Sequence, residues 1–201
     1  MIRHAISWML TLVLLSLAVI AGTQHEYLHA LLAIVAIIIS FIPSIIKRNW
    51  HEHLPWTMEL LLVLVMTLHI GGGALGFYTT FTWWDTLTHF LGSAIIALLG
   101  FLGTFALYES GRIHVTIRMM GVFTFFTAIA VGAIWEMAEF ASDQLLGTDN
   151  QPDNADTNLD LITDTLSAGV VAVLGVWYLK HLPEARIERN VEKLLERLGR
   201  I

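Results

Sequence analysis

The chain has 201 residues, 56% of them hydrophobic and only 14% charged, with no cysteine and a formal net charge of −6. Soluble domains carry roughly 25% charged residues, so an ordinary water-soluble globule is excluded, and the missing cysteines exclude a disulfide framework and a thiolate metal site. The acidic balance gives no basis for nucleic-acid binding, and no nucleic acid is expected as a partner.

The apolar residues come in blocks of about 20, the length that crosses the ~30 Å hydrocarbon core. They predict an all-α polytopic bundle of about six transmembrane helices. It forms one domain over residues 1–182, followed by an amphipathic tail over 183–201. The first span, near 5–22, follows Met1-Ile2-Arg3-His4. It is long enough to cross and precedes no small-residue cleavage site, so it reads as an uncleaved helix. The second, near 27–46, opens on His25-Glu26-Tyr27-Leu28-His29. This matches H-E-x-x-H, which on a helix can bind Zn²⁺. The motif is short, and the plainer reading is a pair of interfacial histidines at a helix start. His51, His53 and Glu59, beside Trp56, read as interfacial or snorkelling residues.

The third span, near 57–77, carries His69 before Gly71-Gly72-Gly73, roughly 20 Å along the helix from Pro55. The fourth, near 85–107, follows the tryptophans Trp83 and Trp84, which suit an interface. In it Asp85 and His89 share a face, and Gly92 and Ser93 permit close helix approach. The fifth, near 119–145, ends with Glu136, Glu139 and Asp143, all within about 60° of one another at 100° per residue. Three carboxylates on one face need a cation, a shared proton or water. The sixth, near 160–180, follows an acidic loop from Gly147 to Asp156. Asp156, Asp160 and Asp164 repeat at i, i+4 and i+8, with Thr163 and Ser167 on the same face. Asp85 and Asp160 also suit N-cap or first-turn positions. In the tail, Ile187, Val191, Leu194, Leu195 and Leu198 form an apolar stripe, suited to the membrane face or a partner.

Basic residues set the orientation. Arg3, Lys47, Arg48, Arg112, Arg118, Lys180, Arg186, Arg189 and Lys193 fall in one set of loops and ends. The alternate loops, near 23–26, 78–84 and 146–159, contain no Lys or Arg. Both termini are therefore expected in the cytoplasm, in the inner membrane. That orientation places His69, Asp85, His89, Glu136, Glu139, Asp160 and Asp164 in the same outer half of the bilayer.

These residues carry a resemblance. Leu68-His69-Ile70-Gly71, Asp85-x-x-x-His89-Phe90-x-Gly92, Trp135-Glu136-x-x-Glu139, Gly147-Thr148-x-x-Gln151 and Asp156-x-x-x-Asp160-x-x-x-Asp164 follow one another as in YjdF-like inner-membrane proteins. The chain resembles that family over about residues 55–180 and is more faintly similar to VanZ-like membrane proteins. The resemblance implies a polytopic fold and groups these polar positions, and it implies no reaction. The chain departs from it in a longer stretch from Asn150 to Asn158, and His25–His29 is not part of the pattern.

Intramembrane acids default to function. The expected site is an outward-facing one holding a divalent cation (Zn²⁺, Mn²⁺, Mg²⁺ or Ca²⁺) on Asp85, His89, Glu136, Glu139, Asp160 and Asp164. His69, Asp143 and Asp156 are expected as supporting partners or proton relays. In an enzyme, the reaction class would be metal-assisted hydrolysis of a lipid-type substrate. The alternatives are a small proton- or ion-coupled transporter, or a structural accessory subunit. The expected partners are the lipid bilayer, a lipid-type substrate and, through the tail, a second copy of the chain.

Overall fold

Apart from Pro43 in the expected second span, the long apolar runs lack interior proline, which favours uninterrupted helices, and helices satisfy every backbone group in lipid. The computed structural model describes residues 2–25, 27, 29–38, 56–109 and 111–181. The expectations for Glu26, Lys47, Arg48, His51, His53 and the tail 183–201 lie outside these residues, as does the side chain of Glu59.

Among the described residues, seven helices follow in chain order: α1 Ile2–Thr23, α2 His29–Ile38, α3 Trp56–Ala74, α4 Phe77–Thr80, α5 Trp84–Glu109, α6 Ile117–Leu146 and α7 Asn154–His181. Among the described residues there is no strand. Helices stand at all six expected spans, and α4 adds a short turn of helix in a stretch expected as loop. By length and composition, α5, α6 and α7 can each cross a membrane. The described apolar stretches of α1, α2 and α3 are shorter.

Punctuation residues set the ends. Gly76 adopts φ 71 between α3 and α4, and Gly147 adopts φ 70 after α6. Both are left-handed conformations that glycine enters without a Cβ penalty. α7 begins at Asn154, earlier than expected, which puts Asp156 in its first turn. Asp85 lies in the first turn of α5, as expected. Asp160 does not start a helix; it lies nearly two turns inside α7.

Contacts divide the chain into two compact units: Met1–Thr88 with Met137–Asn154, and His89–Glu136 with Ala155–Ile201. In the first, Leu14, Leu17 and Ala21 of α1 meet Ala33 and Ala36 of α2 and Val63, Ile70 and Ala74 of α3. In the second, Ala97, Ala128 and Ala168 bring α5, α6 and α7 together, and Phe101, Met120 and Leu179 form a further cluster. Small residues at such crossings let helix backbones approach closely. The faces turned away from these cores are apolar, with Leu12, Val19, Ile134, Phe140, Leu166 and Val173 all exposed. The buried faces hold His69, His89, Glu136, Glu139, Asp160 and Asp164. Polar inside and apolar outside is the pattern of a helical membrane bundle.

Candidate metal centre and a histidine–tyrosine cluster

In the second unit, four ionisable side chains from three helices converge. His89 of α5, Glu136 of α6, and Asp160 and Asp164 of α7 are 7%, 5%, 3% and 3% exposed. The His89 ring is flanked on both nitrogens. Its Nε2 lies 3.7 Å from Glu136 Oε1 and 4.0 Å from Asp160 Oδ1. Its Nδ1 lies 3.5 Å from Asp164 Oδ1. Donors bound at 2.0–2.4 Å to one ion stand roughly 3–4 Å apart, and both Nε2–carboxylate separations fall at the upper end of that range.

Two hydroxyls hold α5 against α7 at this level. Ser93 Oγ donates to the Asp164 carbonyl at 2.9 Å, and Ser167 Oγ donates to the Phe90 carbonyl at 2.7 Å. Asp164 Oδ2 is buried and receives no hydrogen bond among the described residues. It rests against α6 at Gly132, where a Cβ would stand 2.2 Å from Oδ2 and 3.0 Å from Cγ. Gly132 is a site residue that the charge pattern does not flag. Its one available sign is its position one turn before Glu136, a small residue on an acidic face.

Of the other expected ligands, Asp85 is half-buried one turn before His89 on α5, and Glu139 is buried one turn after Glu136 on α6. Asp156 is half-buried at the start of α7.

Asp143 organises the loop after α6. Its Oδ1 accepts from Thr148 Oγ1 at 2.6 Å and from the Asn150 backbone N–H at 2.9 Å, and its Oδ2 accepts from the Gln151 N–H at 2.9 Å. Asn150 Nδ2 adds a further bond at 3.0 Å. A carboxylate so engaged is a loop anchor rather than a relay. Asp143→Ala is expected to speed amide hydrogen exchange at Asn150 and Gln151 about tenfold or more, since a hydrogen bond to a charged group is worth ≈ 1.5–3 kcal/mol. Unchanged exchange would assign the loop's order to other contacts.

His69 belongs to the first unit, in a cluster that the sequence did not announce. Its ring stacks on His29 with centroids 5.1 Å apart, and its Nδ1 shares a hydrogen bond with the Tyr78 hydroxyl. Tyr78 also contacts Thr88 Oγ1 at 3.3 Å. The run Gly71-Gly72-Gly73 makes the room. A Cβ on Gly72 would lie 2.2 Å from Trp84 Nε1, and one on Gly73 would lie 2.5 Å from the His29 ring. His25 stands apart from this arrangement, exposed, at φ 66, with Nδ1 2.7 Å from the Tyr27 hydroxyl. A turn residue with positive φ does not share a helix face with His29, so H-E-x-x-H does not form a helical zinc pair. His29 is buried.

Comparison with known proteins agrees with the membrane architecture. A family model described as "Predicted membrane protein (DUF2238)" matches residues 5–181. An uncharacterized protein of Thermotoga maritima is 31% identical over 134 residues, covering 66% of this chain and 68% of the relative. No solved structure matches. The likeness to VanZ-like proteins is carried by neither match. With nearly its whole described length matched, the chain belongs to the DUF2238 family of predicted membrane proteins.

Proposed function

We propose that α5, α6 and α7 build an intramembrane divalent-cation site, used for metal-assisted hydrolysis of a lipid-type substrate. The observation that carries this reading is the two-sided setting of His89, with Glu136 and Asp160 at Nε2 and Asp164 at Nδ1. Metal-binding histidines donate their second ring N–H to a carboxylate, which fixes the tautomer and raises ligand basicity. His89 Nε2 is then a ligand, with Glu136 and Asp160 the carboxylates beside it, and Asp164 is a positioning residue. Asp85 and Glu139 remain candidate ligands, each one helical turn from a member of the site. Such a site would leave a position for water, which an ion such as Zn²⁺ would activate near neutral pH. On the basic-residue pattern, the site occupies the outer half of the cytoplasmic membrane, with both termini inside.

A lipid-type substrate is supported by a groove of about 480 Å³ between α5 and α7. It begins at Ala94, five residues past His89, and extends to Phe105 and Tyr178. From His89 to Phe105 is about 24 Å of helix, long enough for an extended hydrocarbon chain whose polar end meets the ion. Coupled transport is less favoured. Beyond the site, residues 94–108 of α5, 119–135 of α6 and 168–179 of α7 contain no Asp, Glu, His, Lys or Arg. A proton track would need such groups to continue.

Purified protein should carry about one divalent ion per chain by elemental mass spectrometry. His89→Ala and Glu136→Gln should lose it while keeping a helical circular dichroism spectrum. A parent that stays metal-free after reconstitution with Zn²⁺, Mn²⁺, Mg²⁺ and Ca²⁺ would overturn the reading.

A further inference from the structure

The second unit has another groove, of about 640 Å³, between the start of α6 and the end of α7. On α6 it is lined at i, i+3, i+4, i+7 and i+8 from Arg118. On α7 it follows the same helical rhythm from Gly169 to His181. Its floor is made of small residues. Gly121 faces α7 so closely that a Cβ would stand 2.6 Å from Val176 Cγ2, and Gly169 lies opposite Phe125. Its walls are Val122, Phe126, Val173 and Trp177, all exposed.

The charged and titratable residues of this groove lie at one end: Arg118 from α6, and Lys180 and His181 from α7. No acidic residue occupies the first turn of α6. His181 is held in place, its Nδ1–H donating to the Trp177 carbonyl at 2.8 Å and its ring 5.0 Å from the indole. Single bases at helix ends are ordinary snorkelling residues. Here bases from two helices converge on the mouth of one apolar channel, beside Trp177, a residue type enriched at membrane interfaces. From Gly169 to His181 the channel runs about 18 Å, close to the ~15 Å of one leaflet of the hydrocarbon core.

We infer that this groove binds one anionic phospholipid, with its phosphate on Arg118 and Lys180 beside His181 and an acyl chain laid between α6 and α7. The charge complementarity selects an anionic headgroup, and the apolar length selects a lipid over a soluble phosphate. The inference does not depend on the ion site.

Native mass spectrometry of the purified full chain, titrated with dioleoylphosphatidylglycerol or dioleoylphosphatidylcholine, tests it. One phosphatidylglycerol should bind in preference to phosphatidylcholine. The Arg118→Gln/Lys180→Gln variant should bind phosphatidylglycerol roughly 30-fold more weakly, each cation contributing about fivefold at a membrane surface. Val173→Trp should fill the groove and lose the lipid with both charges intact, whereas Val170→Trp, outside the groove, should retain it. Equal binding of the two lipids, or retention of phosphatidylglycerol by both groove variants, would overturn the assignment. So would displacement by glycerol phosphate alone. The chain has no cysteine, so a Val173→Cys variant that forms disulfide dimers on oxidation would show a second copy there and equally overturn it.

Discussion

Substituting Gly132 by alanine is expected to lower affinity for the divalent ion about 10- to 100-fold, the range seen when a carboxylate supporting a metal-bound histidine is disturbed. The cause is steric and local. The new methyl would stand 2.2 Å from Asp164 Oδ2 and 3.0 Å from Asp164 Cγ. A short side chain has no route around such a contact, and the carboxylate must leave its place beside His89 Nδ1. Titration calorimetry with the ion found in the parent measures the loss. A double-mutant cycle separates this cause from general misfolding. In an Asp164→Ala background there is nothing for the methyl to displace, so Gly132→Ala should add little further loss. Full additivity would mean that Gly132 acts by another path.

Gly72→Ala is expected to destabilise the first unit by about 3 kcal/mol, which combines overpacking of 1–3 kcal/mol with weakened hydrogen bonds of about 1 kcal/mol each. The methyl would meet Trp84 Nε1 at 2.2 Å and Tyr78 Cε2 at 2.7 Å, and Tyr78 holds both His69 and Thr88. The preceding glycine supplies the contrast. A Cβ on Gly71 meets only Leu17 Cδ1, at an ordinary 3.8 Å. Gly71→Ala should be neutral or stabilising by up to about 1 kcal/mol, because alanine is the better helix former. Thermal unfolding of both variants in one detergent compares them directly. Equal midpoints would remove the steric role assigned to Gly72.

The membrane bundle was legible because its cues are local and repeated. Trp83-Trp84-Asp85 announces the start of α5, and α6 falls where its apolar run does. The acids at positions 156, 160 and 164 share a face whatever surrounds them, so the joint burial of Asp160 and Asp164 with Ser167 follows from periodicity. What escaped the sequence depends on which surfaces meet. Nothing in Gly132, Gly72 or Gly73 says what occupies the space that their missing side chains leave. The histidine motif misled for a different reason: its spacing assumes a helix, and His25 lies in a left-handed turn before one. Asp160 was expected near a helix start because the acidic loop looked irregular, yet Asn154 already begins α7 and carries Asp160 deeper.

The acidic repeat of α7 has a consequence for biogenesis. An aspartate at the centre of a spanning helix adds about 2.5–3.5 kcal/mol to the free energy of membrane insertion, and α7 buries two, Asp160 and Asp164. Their histidine and glutamate counterparts lie on α5 and α6, which leave the ribosome first. Ser93 on α5 and Gly132 on α6 are likewise in place before Asp164 is made. α7 is thus expected to enter lipid by docking onto helices already installed, so that topogenesis of the last described helix and assembly of the candidate site would be one event.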